Sequence, residues 1–189
     1  SAGAGILADI KTFEQHNVYG LGVITANTVQ TDSVFVAPNW LPFTQIKSQL
    51  ALLLATYPIN VCKIGLVKNF KQLIDIIKVL QHHRPKIKII WDPVLSASAG
   101  TTFHTNLDLE QISHVLDCCY LVTPNIPELN ALSVDQTTDD ALSYYRILCN
   151  ILLKGGHSNE SEATDRLYLD ESEIAFSQKR SEVTEKHGT

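Results

Sequence analysis

The chain has 189 residues, 44% of them hydrophobic and 19% charged, with no low-complexity tract, which is the composition of one folded, soluble domain with a substantial core. A formal charge of −5 with no basic stripe lacks the electrostatic footprint of a nucleic-acid binder. The longest apolar stretch, at 50–55, is too short to span a bilayer, and the N-terminus lacks the layout of a signal peptide. No nucleic acid, no membrane and a cytoplasmic location are the expectations. Cys62, Cys118, Cys119 and Cys149 show no Cys-x-x-Cys spacing and read as reduced core thiols.

Taken in order, residues 1–5 are a glycine-rich loop feeding a helix over 6–13, whose apolar residues at 6, 10 and 13 share a face. Gly3-x-Gly5-x-x-Ala8 matches a loose dinucleotide fingerprint, but neither the preceding strand nor a ribose-binding acid accompanies it, so a plain helix entry is the stronger reading. The β-branched content at 19–28 predicts a strand that runs into Gln30, an amide able both to donate and to accept. Residues 32–37 alternate as an edge strand or flap does.

From there helix and strand patterns alternate: helices at 43–57, 70–83, 106–116 and 139–148, short buried strands at 60–65, 87–91, 119–122 and 151–154. Such alternation is the signature of βαβ units around a parallel sheet. The His82-His83 pair closes its helix, where cations sit well. Residues 165–169 and 173–176 predict a hairpin. The expected fold is therefore α/β and three-layer, with a mostly parallel central sheet and helices on both faces.

Open sheets of this kind bind ligands at the C-terminal edge. Three successive strands end there in Asp92-Pro93, in Thr123-Pro124-Asn125-Ile126-Pro127-Glu128, and in Lys154-Gly155-Gly156-His157. Asn125 and Glu128 have the spacing of a helix capping box and equally that of a pair holding magnesium beside phosphates, and the local pattern does not choose between them. Carboxylates for Mg2+, a lysine for phosphate charge and glycines for close backbone approach are what phosphoryl transfer requires, since its catalysis is mostly positioning and charge neutralisation. Neither a P-loop nor a protein-kinase signature is present, so another kinase scaffold is implied.

Those motifs, together with residues 1–13, Tyr19-Gly20, residues 23–26, Lys63-Ile64-Gly65, Asp92-Pro93-Val94 and His187-Gly188-Thr189, resemble the hydroxymethylpyrimidine and phosphomethylpyrimidine kinases of thiamine synthesis, a family of the ribokinase-like superfamily. The resemblance implies ATP-dependent phosphorylation of 4-amino-5-hydroxymethyl-2-methylpyrimidine and then of its monophosphate, with Mg2+ and as a homodimer. It implies that Gln30, Asp9, Leu66 and Val94 line the pyrimidine pocket, that Asp92, Asn125 and Glu128 serve the magnesium and nucleotide, with Asp92 and Glu128 as metal ligands, directly or through water, and that Lys154, Gly188 and Thr189 are catalytic. Ala2 and Asn27 depart from the glycine and leucine usual in the family, and the segment 132–138 is shorter than expected. The resemblance also implies a strand before Ser1 and a cysteine-bearing anion-hole helix after Thr189. Residues 1–189 are accordingly expected to be a single ribokinase-like kinase domain without those two parts, and to have little activity alone. Alternatives kept open are a pyridoxal or pyridoxine kinase of the same fold, a catalytically silent pyrimidine- or nucleotide-binding domain and, as an outsider, an NAD-dependent oxidoreductase.

Overall fold

The computed structural model describes residues 4–30, 35–96, 103–104, 107–155, 162–170 and 172–179. In chain order the elements are α1 (Gly5–Gln15), β1 (Ala26–Gln30), β2 (Phe35–Trp40), α2 (Phe43–Thr56), β3 (Val61–Ile64), α3 (Phe70–His83) and β4 (Lys88–Trp91). They continue with α4 (Leu109–Asp117), β5 (Leu121–Val122), α5 (Ile126–Leu132), α6 (Thr138–Leu148), β6 (Asn150–Leu153), β7 (Glu162–Leu169) and β8 (Ser172–Lys179).

Helix α3 shows how the sequence dictates these elements. Asn69 caps its start by accepting from the Gln72 amide, which satisfies one of the orphan donors of the first turn. Phe70, Leu73, Ile76, Ile77 and Leu80 follow at helical spacing and are all buried, each such side chain contributing about 1.5–3 kcal/mol of transfer free energy. His82 and His83 occupy the last turn, and Pro85 follows directly after Arg84, where a helix cannot continue.

The main sheet runs β3-β4-β5-β6-β7-β8. Strands β3 to β6 pair in parallel, and the β7–β8 hairpin adds antiparallel strands beyond β6. Its turn places Asp170 at φ 48°, a left-handed conformation that aspartate tolerates. Ile64, Ile89, Trp91, Val122 and Ile151 share one face and are buried. The Phe70 ring of α3 meets Trp91 edge-on there, at 5.6 Å between centroids. On the opposite face Lys63 reaches Asp9 of α1. Helices therefore cover both faces, as the alternating pattern predicts.

The segment predicted as a strand over 19–28 divides in two. Only Ala26–Gln30 forms a strand, paired antiparallel with β2 as a separate two-stranded flap. Ahead of it, residues 18–24 join no ladder among the described residues and lie instead against α1. A Cβ on Gly20 would stand 2.6 Å from Ile10 Cδ1, and one on Gly22 2.1 Å from Ile6 Cδ1. The two glycines thus mark close helix packing, a use of glycine that β-propensity alone does not reveal. The base of the flap is tied to the loop after β3, where the Thr25 hydroxyl donates to the Leu66 carbonyl at 2.6 Å.

Candidate active site

Strand alternation builds the site. Lys63 is in register with Ile90, Ile90 with Leu121, and Leu121 with Asn150. Residues two apart share a face, so Lys63, Asp92, Thr123 and Lys154, at or just beyond the C-terminal ends of four adjacent parallel strands, all project to one side. The β6 edge is held at that level by the Lys154 amide, which donates to the Pro124 carbonyl at 2.8 Å.

These side chains form one chain of alternating charge. The Lys154 ammonium donates to Asp92 Oδ1 at 2.9 Å and lies 3.8 Å from Glu128 Oε2. Lys63 stands 3.4 Å from Asp92 Oδ2 and 2.6 Å from Asp9 Oδ1, while the Thr123 hydroxyl donates to Asp92 Oδ1 at 3.1 Å. Three carboxylates against two ammonium groups leave the set net negative. Side-chain exposures run from 15% for Glu128 and 23% for Asp92 to 31% for both Lys63 and Asp9 and 36% for Lys154.

Burial and charge pull the two inner carboxyls apart. Burial pushes Asp92 up, but the ammonium groups of Lys154 and Lys63 and the Thr123 hydroxyl outweigh it and hold the group below its ordinary value. For Glu128 burial dominates, and with the repulsion of Asp92 it outweighs the Asn125 amide and the more distant Lys154, so this carboxyl sits above its ordinary value. Burial lowers Lys63, yet its hydrogen bond to Asp9 and the charges of Asp92 and Asp9 leave it raised and firmly cationic. All four cysteines are free, and burial pushes the thiols up, to about 11 for Cys62 and about 12 for Cys149. None of them is a ready thiolate.

Of the residues proposed from sequence, Asp9, Asp92, Asn125, Glu128 and Lys154 come together. The capping box is formed: Asn125 Oδ1 accepts from the Glu128 amide and Glu128 Oε2 from the Asn125 amide, both at 2.8 Å. That uses one carboxylate oxygen and leaves Glu128 at the site. Val94 is half-buried two residues beyond Asp92, and Leu66 lies in the loop after β3. Gln30 ends β1 in the flap and is joined to the charged group by no hydrogen bond or ion pair among the described residues. Gly156, His157, Gly188 and Thr189 lie outside the described residues.

Three participants escaped the sequence reading of the site. Lys63 had a signal, a charge two residues before the end of a short buried strand. Thr123 stands at the equivalent edge position on β5. Asp165 had none, because it reaches the site only through β7–β6 pairing: its Oδ1 accepts from the Gly155 amide at 2.8 Å.

The family model for phosphomethylpyrimidine kinase matches residues 1–189. The chain is 30% identical over 184 residues to the hydroxymethylpyrimidine/phosphomethylpyrimidine kinase of Aquifex aeolicus, covering 93% of this chain and 72% of that protein. It is 33% identical over 211 residues to the Salmonella typhimurium enzyme of the same name, covering 100% and 74%. Among solved structures, the phosphomethylpyrimidine kinase of Clostridium difficile superposes with a TM-score of 0.77 at 31% identity, covering 93% of this chain and 79% of that one. The Bacillus subtilis pyridoxal kinase in an ADP complex shares the fold, with a TM-score of 0.78 at 22% identity over 99% and 74%.

Proposed function

The chain belongs to the phosphomethylpyrimidine kinase family, and from that premise we propose how its residues serve the transfer. It is a kinase of thiamine biosynthesis that uses ATP to phosphorylate 4-amino-5-hydroxymethyl-2-methylpyrimidine and then the resulting monophosphate. The observation that carries the reading is the convergence of Asp92, Glu128 and Lys154 on one sheet edge, in a chain that matches the family from end to end.

In this reading Lys154 is the catalytic cation that steadies the migrating phosphoryl group, a charge whose stabilisation counts most in a partly dehydrated site. Asp92 and Glu128 would hold Mg2+. The residues fit such an ion: the charged set is net negative, and Glu128 is disfavoured as an anion by burial and by Asp92, a penalty that a cation between the two relieves. One or two carboxylates together with substrate phosphates are the ordinary donors of a magnesium ion at a phosphoryl-transfer site. When bound, Mg2+ neutralises nucleotide phosphate charge. Asn125 keeps Glu128 in place through the capping box. Asp9, Gln30, Leu66 and Val94 belong to the pyrimidine pocket, and Gly188 and Thr189 to the catalytic anion site, on the family resemblance. Free thiols with raised pKa suit a reducing cytoplasm, and a homodimer is proposed on the resemblance alone.

The test is turnover by the full-length protein. ADP is expected from MgATP with the pyrimidine alcohol in preference to pyridoxal, and Lys154→Ala should lower kcat by about 10²–10³, the loss of one electrostatic stabiliser. No ADP with the pyrimidine alcohol sinks the reading, and ADP with pyridoxal alone converts it to the sister activity.

A further inference from the structure

Lys63 is the residue of the charged set to which the reading above gives no task. Its ammonium bridges Asp9 and Asp92 at 2.6 and 3.4 Å, the residues that the proposed function gives to the acceptor and to the nucleotide. It is about one-third exposed at the C-terminal edge of β3, and its charge is reinforced by both neighbours. A partly solvated ion pair of this kind is weak, so an incoming phosphate can displace the Asp9 carboxylate and take its place on the ammonium.

The two transfers assigned to this enzyme differ in what they demand. In the first, the acceptor is a neutral alcohol: its oxygen bonds to the γ-phosphorus, its proton is released to water, and the bond from that phosphorus to the bridging oxygen breaks with the electron pair retained by ADP. In the second, the acceptor oxygen belongs to a phosphate monoester and is already anionic. That oxygen bonds to the γ-phosphorus, forming a phosphoanhydride, and the same bridging bond of ATP breaks, with no hydroxyl proton to remove, but two anions must be brought into contact. That repulsion calls for a second cation beside the acceptor's own phosphate. Among the described residues only Lys63 and Lys154 make ion pairs with Asp92, and Lys154 is engaged with the migrating group.

We propose that Lys63 is the specificity residue for the second phosphorylation, binding the phosphate of the monophosphate acceptor, with Asp9 and Asp92 holding its ammonium in readiness. The inference rests on the kinase reading.

The experiment compares the full-length parent, Lys63→Gln and Lys63→Arg on the pyrimidine alcohol and on its monophosphate, with calorimetric binding of each acceptor to the nucleotide-free protein. Lys63→Gln should lower kcat/KM for the monophosphate by about 100-fold and weaken its binding, while the alcohol loses at least ten-fold less and Lys63→Arg restores most of the difference. Thermal melting of the three proteins and the alcohol arm report on folding. Equal losses on both acceptors, or unchanged binding of the monophosphate, overturn the proposal. A parent that phosphorylates the alcohol but not the monophosphate also overturns it, leaving the kinase reading of the alcohol intact. A parent that phosphorylates neither removes that reading and the proposal with it.

Discussion

Glu128 meets two demands with one carboxylate. Its Oε2 accepts the Asn125 amide at 2.8 Å and lies 3.8 Å from the Lys154 ammonium, so the cap fixes the side chain without taking it away from the site. Substitution separates the two roles because the cap needs only an acceptor oxygen while the site needs the charge. Glu128→Gln keeps a carbonyl oxygen for the Asn125 amide and removes the charge, so unfolding in urea should show no loss of stability while the Mg2+ concentration for half-maximal turnover rises several-fold. Asn125→Ala does the reverse: it deletes the acceptor for the Glu128 amide and should cost about 1 kcal/mol of stability with a smaller shift in the magnesium requirement. Magnesium dependence identical in Glu128→Gln and the parent would leave this residue a cap and nothing more.

At the scale of elements, the critical join is between β6 and β7. A Cβ on Gly155 would stand 1.9 Å from the Thr164 carbonyl oxygen and 2.9 Å from its nitrogen. These are backbone atoms of the neighbouring strand and cannot swing aside. Gly155→Ala should therefore part the strands, cost about 1–3 kcal/mol in overpacking and displace the adjacent Lys154, lowering turnover of the pyrimidine alcohol well beyond the change in melting temperature. Asp165 secures the same join from the other side. Asp165→Asn retains an acceptor for the Gly155 amide and should keep most activity, whereas Asp165→Ala should lose about ten-fold, consistent with a misplaced cation; equal losses in the two would point to the charge and not the hydrogen bond. This join was invisible in the chain. The runs at 60–65, 87–91, 119–122 and 151–154 announced a parallel sheet, and the residues at their ends named Asp92 and Lys154, because hydrophobic period and strand termini are local properties. Register is not local. Nothing in the order of residues sets Lys63 level with Ile90 or lays β7 against β6, and so Lys63 and Asp165 went unassigned. The segment 18–24 misled for a related reason: its partner is α1, and the two glycines that admit the helix look the same in sequence as glycines within a strand.

For the molecule as a whole, Asp92 is the point where separate elements are tied together. Through Lys63, Thr123 and Lys154 it links the ends of β3, β5 and β6, and through Lys63 it reaches α1. Stability must then depend on pH in a way that the two inner carboxyls divide between them. Asp92 is held below its ordinary value in the fold, so the native state binds that proton less tightly than the unfolded chain. Its contribution is complete above the ordinary aspartate pKa of about 3.9 and disappears as pH falls through the lower native value. Glu128 is held above its ordinary value, so the sign reverses: its contribution is fullest below the ordinary glutamate pKa of about 4.3 and is lost as pH rises through the native value. With divalent cations chelated, urea unfolding from acid to neutral pH should resolve both. Asp92→Asn should be less stable than the parent near neutrality and lose much of the parent's decline below about pH 4. Glu128→Gln should retain that decline and instead remove the parent's loss of stability on the other side, above about pH 4. If Asp92→Asn keeps the full acid limb, the carboxyl at the centre of the tie is not the one that titrates there, and the ordering of charges at this edge is other than described.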